Sequence, residues 1–513
     1  MKKHLLFLLL LTQNACSFSQ SYFYKEYDNN GKAEFGLGVT ETTNHDFVIV
    51  GMTGDPLSLL GNYQGWILKI NSEGDTLWTK QYGDYGTDLF TSILPHDTNF
   101  IISGIKFVYG KGRDGWLMEV DSFGNKIWEK TYGGTGYTHD GLSSIIPTSD
   151  GGYLMTGSTE SFGTDSTQDA WLIKLNSSFD TMWTRTYDMG VINETTSFTD
   201  DGINIVPFQN NKYIFAVNTC ESGCDGIDPH LYASYIIVDS VGNVLLSRSY
   251  TDGPKNKFKQ IASTSDGSAI IAGATSMRDS VLFTLFRSED MWVLKLTSDA
   301  TDTLWTKSFG ENGIYDGGWS IFETDDGGYM MSAYSQIDCT PSYNYDNIWW
   351  MKLDSNGDTT CVRRWGGPDN DDLLYIIPTS DGGIIGTGGV NGNSNPLEGP
   401  IPGDADLVII KTDAQGLITG IENTESENVF FSIYPNPASD HFTLMMNINA
   451  EEIITAELFD LTGRIIFEEN FISSSNGMQI LEFSVPQINS GIYYLQVRSN
   501  NFSKTIPVEI FNN

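Results

Sequence analysis

One short sentence of sequence is written seven times along this chain, and that limits its fold more than composition does. Apolar segments reading WILKI, WLMEV, WLIKL, YIIVD and WVLKL begin at Trp66, Trp116, Trp171, Tyr235 and Trp292. WWMKL ends at Leu353, and LVIIK begins at Leu407. A period of about 50 to 65 residues in a strand-rich sequence predicts a repeat array, because a single unit cannot bury both of its faces alone. Each unit reads as four strands, which we term a to d, like SSIIPT, YLMTGST, AWLIKLN and MWTRTY. Between a and b stand SDGGY at Ser149, SDGSA at Ser265, DDGGY at Asp325 and SDGGI at Ser380. Between c and d stand DSFGN at Asp121, DSVGN at Asp239 and DSNGD at Asp354. Asp and Asn bond their own backbone and Gly accepts positive φ, so these are tight hairpin turns rather than calcium loops.

The seventh unit lacks strand d, whereas YFYKEY at Tyr22 to Tyr27 reads as a strand d with no strand c before it. The two halves predict one closed ring: an all-β fold, a seven-bladed β-propeller over residues 21–420, with the N-terminal strand completing the last blade. Trp66, Trp78, Trp116, Trp128, Trp171, Trp183, Trp292, Trp305 and Trp350 then read as packing between blades.

The chain has 29 Lys and Arg against 65 Asp and Glu, a formal charge of −36. Such a surface repels polyanions, so no nucleic-acid partner is expected. Lys2 and Lys3, the apolar run Leu5 to Leu11, and Ser17 and Ser19 predict a signal peptide over residues 1–20. Gln13, Asn14 and Ala15 before Cys16 lack a lipobox pattern, and no later apolar run is long enough for a transmembrane helix. Cys220 and Cys224 could close a small disulfide loop in an exported protein, while the pairing of Cys339 and Cys361 stays open.

Two classes of site candidate follow. The b-to-c and d-to-a connections vary in length and share one face, where binding residues are expected. They carry Tyr232, Phe283, Phe286, Tyr343 and Tyr345, which serve either as ligand contacts or as packing for their own loops. Four residues before the serine position of strand a stand Glu34, Asp88, Asp140, Asp200, Asn256, Asp316 and Asp371, one per repeat. Read as a ring, the carboxylates suit a metal, with calcium the candidate cofactor. Read singly, each caps its own turn. No other cofactor is predicted, and no nucleophile elbow or metal-ligand motif surrounds His45, His96, His139 or His230.

DSFGNKIW resembles repeats of the pyrroloquinoline-quinone dehydrogenase propellers, but its Asp-to-Gly and Asp-to-Trp spacings are one residue short, and the ring has seven units rather than eight. The Asp boxes of sialidases are similar but out of register, and the arginines recur at no single blade position. After Gly420 a polar linker, residues 421–432, leads to YPNPAS at Tyr434 to Ser439, DLTGR at Asp460 to Arg464 and SGIYYLQV at Ser490 to Val497. Residues 433–513 read as a small Ig-like β-sandwich. This segment resembles the C-terminal sorting domain of type IX secretion. The resemblance places Tyr434, Pro435, Asn436, Pro437, Gly463, Gly491 and Tyr493 in the sorting signal, and implies the type IX machinery as a partner and a secreted or cell-surface location. The expected function is a binding scaffold for a glycan or a surface protein, with an extracellular polysaccharide hydrolase or lyase as the alternative.

Overall fold

A computed structural model describes the chain between residues 22 and 510, apart from 30, 56–61, 85, 164–166, 190–197, 222–229, 252–254, 277–288, 311–315, 336–345, 366–369, 393–404, 415, 418–430, 435–437, 440, 449–452, 460–463, 473–476, 485–487, 489–490 and 500–502. Two compact units emerge, Met1–Thr419 and Gly420–Asn513.

Among the described residues the first unit has 28 strands, β1 to β28, in seven four-stranded antiparallel blades. Blade 1 runs β2(Ala33–Glu41), β3(Phe47–Gly54), β4(Tyr63–Ile70), β5(Thr76–Tyr82), and blades 2 to 6 repeat that order. Blade 7 is assembled from both ends of the unit: β26(Asn370–Pro378), β27(Ile384–Gly392) and β28(Asp406–Thr412) are completed by β1(Phe23–Tyr27), which lies antiparallel to β28 with Phe23 opposite Lys411 and Tyr27 opposite Leu407. The innermost strands, β2, β6(Leu89–His96), β10(Thr138–Pro147), β14(Phe198–Phe208), β18(Asn256–Ser263), β22(Asp316–Glu323) and β26, each touch the next, and β26 touches β2, so the ring is closed.

Local chemistry explains the elements. In the a-to-b turn of blade 3, Gly151 has φ +81°, Asp150 accepts Gly152 N–H at 3.1 Å, and the lysine of WLIKL reaches over: Lys174 Nζ lies 3.0 Å from both Thr148 Oγ1 and Asp150 Oδ1. Lys295 repeats this with Thr264 and Asp266. In the c-to-d turn, Asp121 Oδ1 accepts the N–H groups of Phe123 and Asn125, as expected of turn chemistry.

Blades are stapled at the rim by the tyrosine ending strand d. Tyr27 Oη donates to Gly74 O at 2.6 Å and Tyr187 Oη to Gly242 O at 2.8 Å, each reaching the next blade. Lys25–Asp75 and Lys130–Asp180 ion pairs follow the same path. Between blades lie apolar clusters, with Trp116 beside Val50 and Ile67 of the preceding blade and Trp171 beside Ile101 and Leu117.

Two alignments need correction. Strand c of blade 4 pairs Ser234 with Val217, and strand c of blade 7 pairs Val408 with Gly388, so Ser234 and Val408 hold the tryptophan step rather than Tyr235 and Leu407. Register is set by the hairpin turn, not by the nearest large apolar residue. Cys220 is disulfide-bonded and Cys361 is a free thiol; Cys224 and Cys339 lie outside the described residues. The expected signal peptide lies outside them too.

The second unit has a three-stranded sheet, β29(Phe431–Tyr434), β30(His441–Ile448) and β33(Gly477–Ser484). A four-stranded sheet of β32(Ile465–Ile472), β31(Ile453–Phe459), β34(Gly491–Arg498) and β35(Ser503–Ile510) packs with it around Phe442, Phe483, Leu458 and Leu495. Among the described residues no helix is long and apolar enough to cross a membrane.

Candidate functional site

The recurring carboxylate at the start of strand a marks the joint between blades. The backbone N–H of Glu34 donates to Ala405 O at 2.7 Å, Asp88 to Tyr63 O, Asp200 to Gln168 O, Asp316 to Glu289 O and Asp371 to Asp346 O, each acceptor lying at the head of strand c in the preceding blade. The side chains turn inward, and all six carboxylates and Asn256 are at most 2% exposed. Glu34 Oε1 accepts from Thr53 Oγ1, Asp140 Oδ1 from Thr159, Asp200 Oδ1 from Thr219 and Asn256 Oδ1 from Thr275, always one strand away at the same sequence offset. Their second oxygens accept d-to-a turn N–H groups: Asn29 for Glu34, Asp84 for Asp88, Gly134 for Asp140 and Met189 for Asp200.

Junctions differ in what stands beside this carboxylate. Asp169, Asp188 and Asp200 bring one oxygen each within 4.8 Å of one another where blade 3 meets blade 4, and Asp28, Glu34 and Asp406 do the same where blade 7 meets blade 1. These are equivalent steps: the head of strand c, the residue after strand d and the start of the next strand a. At four of the other junctions glycine follows strand d, as Gly83, Gly133, Gly310 and Gly366, and between blades 4 and 5 it is Thr251. A Cβ at Gly133 would stand 2.3 Å from Asp114 Oδ1 and 2.8 Å from Asp140 Oδ2, so the paired carboxylates leave no room for a side chain there. The oxygen triads suit a hard cation such as calcium in chemistry.

Burial pushes the carboxyls of Glu34 and Asp200 up to about 7, against the lowering effect of their threonine and N–H donors. Unfolded, both titrate near pH 4, so their contribution to stability is fully present below that and is lost as pH rises through about 7. Asp150 and Asp326 work in the opposite sense. Thr148 and then Lys174 hold Asp150 down to about 2, and Lys352 and then Thr324 do the same for Asp326. Their contribution is present above about pH 4 and is lost as pH falls towards 2. In chelator, the melting temperature is expected to peak between about pH 4 and 6 and to fall by several degrees by pH 8. Calcium at millimolar concentration that restored it at pH 8 would place cations in the triads; a flat profile from pH 5 to 8 would contradict the assignment.

Of the aromatic candidates, Phe283, Phe286, Tyr343 and Tyr345 lie outside the described residues. Tyr232 is half-buried in β16(His230–Val238), at the strand-c step that Asp169 holds in blade 3. Sequence reasoning missed a different cluster. Every strand a carries a β-bulge at one shared step, with one residue or two that the ladder skips: Leu37, Thr91, Ser143, Ile203 with Asn204, Lys259, Trp319 and Leu374; blade 7 has a second irregularity at Asp371. Trp319 packs with Leu37 and Leu374 in one apolar cluster, Tyr334 stands 6.4 Å from it, and Lys259 Nζ lies 3.8 Å over its ring. The signal available in the sequence was Lys255, Lys257 and Lys259 alternating on one strand of an acidic chain.

One trio invites an enzymatic reading. His45, at φ +63°, brings Nδ1 within 2.9 Å of Glu41 and 2.8 Å of Ser380 Oγ. A triad needs the serine and the acid on opposite ring nitrogens, whereas both partners here share Nδ1. Glu41 also accepts Ser380 N–H, just as Glu323 accepts Ser265 N–H between blades 5 and 6, so the contact is a blade staple.

In the second unit, Tyr434 ends β29, Ala438 bridges to Ile510, Gly491 opens β34 and Tyr493 is buried in the core. Pro435, Asn436, Pro437 and Gly463 lie outside the described residues. Residues 432–509 match the secretion system C-terminal sorting domain. The sorting domain marks this chain for type IX export, to the cell surface or the medium, and for contact with that machinery. No curated protein matches the chain in sequence. Similar solved structures include PorZ, described as an essential bacterial surface component of the type-IX secretion system of Porphyromonas gingivalis. It shares 11% identity over 93% of this chain and 82% of its own, with a TM-score of 0.27. A Penicillium chrysogenum alpha-L-arabinanase shares 10% identity over 77% and 99%, with a TM-score of 0.41. A bat influenza N11 neuraminidase-like protein shares 9% over 77% and 95%, with a TM-score of 0.34. At these scores the likenesses carry no functional argument.

Proposed function

We propose that this is a secreted or surface-displayed binding scaffold whose propeller holds a glycan or a surface protein on the face of its irregular b-to-c and d-to-a connections. The observation that supports this most is the division of labour within each blade. One end is locked by repeated Thr, Asp and Lys turns, while the residue that strand a skips varies around the ring: leucine in blades 1 and 7, then threonine, serine, isoleucine with asparagine, lysine and tryptophan in blades 2 to 6. A rigid frame with varied inner positions is how a scaffold presents a binding surface. The alternative, a polysaccharide hydrolase or lyase, would need two carboxylates at a working separation. The buried carboxylates described above are committed to blade joints.

The test is a glycan array probed with the full mature chain, with released sugars assayed in the same wells. Retention without released sugar is the expected result. Turnover would replace the scaffold reading with the enzymatic one, and silence in both readouts would remove the glycan and leave a surface protein.

A further inference from the structure

Most aromatic rings of the propeller are spent on packing between blades. Among its described residues four Phe, Tyr or Trp side chains stand exposed: Tyr109 at 94%, Phe123 at 69%, Tyr137 at 67% and Phe162 at 44%. Phe123 lies in a c-to-d turn. The other three occupy consecutive connections of the opposite, variable face: Tyr109 follows β7(Asn99–Val108) and precedes β8(Gly112–Val120), Tyr137 immediately precedes β10, and Phe162 follows β11(Tyr153–Thr159).

Backbone pairing fixes these three connections to one another. The start of β10 runs parallel to β8, with Thr138 opposite Gly112 and His139 opposite Arg113, and Thr138 N–H donates to Lys111 O at 3.0 Å. Ser161 Oγ lies 2.8 Å from Thr138 Oγ1 and accepts Gly134 N–H at 2.8 Å, which ties in the connection carrying Phe162. Blades 2 and 3 thereby form one eight-stranded sheet, whereas the parallel contacts of Tyr63 with Thr87 and of Leu231 with Lys255 at other joints are single bridges. Gly112 permits the close approach: its φ is +97°, and a Cβ there would stand 2.1 Å from Thr138 O. Rings held on such a frame lose little freedom when something settles on them.

Polar groups stand between the rings. Tyr137 meets His139 edge-on at 6.0 Å, and His139 Nδ1 lies 3.2 Å from Glu160 Oε2, with both side chains open to solvent in part. Phe162 leans on Trp171 at 5.4 Å. Rings set apart by an imidazole, a carboxylate and two hydroxyls do not make the continuous apolar centre that a protein interface buries. They match a sugar chain, whose rings offer an apolar C–H face for stacking and a rim of hydroxyls for hydrogen bonding. Charge narrows the class further. A formal charge of −36 opposes an acidic polysaccharide or a second copy of this chain, and here Lys111 is matched by Asp114 and His139 by Glu160.

We propose that Tyr109, Tyr137 and Phe162 form a platform for a neutral polysaccharide, stacking against its sugar rings while His139 and Glu160 hydrogen-bond its hydroxyls. The site deepens the scaffold reading and rests on its glycan arm.

The test measures binding of the full mature chain to a soluble β-glucan, a galactomannan and a neutral galactan, with oligogalacturonate as the acidic comparison, at low and high salt. Variants are Tyr109→Ala, Tyr137→Ala and Phe162→Ala, with Phe123→Ala as an exposed aromatic change on the other face, each checked by its melting curve. One or more of the neutral glycans is expected to bind with an affinity that salt leaves unchanged. Each platform variant should weaken binding about three- to tenfold, while Tyr137→Phe and Phe123→Ala stay close to the unaltered chain. Preference for oligogalacturonate that falls as salt rises overturns the neutral class and with it this site. Neutral binding that all three platform variants leave intact overturns the platform while the glycan-binding scaffold stands. Binding to no glycan of any charge overturns the site together with the glycan arm on which it rests.

Discussion

A chain lacking residues 22–27 is expected to lose the closed ring and to melt at least 10 °C below the intact protein. Those residues supply the outer strand of blade 7, pair along its length with β28, bury Phe23, and staple blade 7 to blade 1 through Tyr27 to Gly74 and Lys25 to Asp75. The loss combines a ladder of backbone hydrogen bonds, a buried aromatic ring and a newly bare edge on β28, together about 5 kcal/mol or more. An exposed edge of this kind also invites pairing between molecules, so dimers or larger species are expected on size exclusion. Adding the peptide of residues 21–28 should restore part of the melting temperature. A truncated chain that melts within two degrees of the intact one would mean that the ring does not depend on this strand.

Replacing Asp140 with alanine is the second large effect. Its two oxygens accept from Thr159 Oγ1, Ser161 N–H, Ser161 Oγ, Gly134 N–H and Thr138 Oγ1, all around a 2% exposed carboxylate at the joint of blades 2 and 3. Alanine strands those donors in a place water reaches poorly, so a loss of about 3–5 kcal/mol is expected from the urea midpoint. Asp140→Asn should cost roughly half of that, since blade 5 already uses an amide: Asn256 accepts from Thr275 and donates to Tyr250 O. The effect is expected to be the same with calcium or chelator, because Gly133 beside Asp140 leaves this junction without a third carboxylate. A loss under 1 kcal/mol from the alanine variant would show that the donors find other acceptors.

The fold was legible from sequence because its determinants are local. Thr-Ser-Asp-Gly and Asp-x-x-Gly-Asn turns fix each hairpin within five residues, and alternating apolar residues then place strand faces. Even the displaced seventh strand d could be counted. Sequence placed a carboxylate at the same point of six repeats and the amide of Asn256 in the seventh. It did not reveal that backbone N–H and side chain go to two different partners, because the N–H contact crosses to the preceding blade and the threonine stands 19 residues further along the chain. The inner cluster was less legible still. A one-residue bulge decides that Lys259 meets Trp319, and nothing in FKQIA or GGWSIF announces a slip in register. A different cause misplaced Tyr235 and Leu407: no bulge interrupts those pairings, and the backbone counts from the turn while the eye anchors on size.

The strand that closes the ring is made first and finds its partner last. β1 and β28 are separated by about 380 residues, so during synthesis and export the opening strand must wait, unpaired, until nearly all seven blades exist. The propeller can therefore assemble blade by blade, but its last joint forms only after blade 7 has been delivered. A partly exported chain is a curved stack with two open ends, and completion is a single late event that turns it into a ring. Arrival of β28 is thus the step that completes the propeller, and the domain that follows it in the chain is delivered only afterwards.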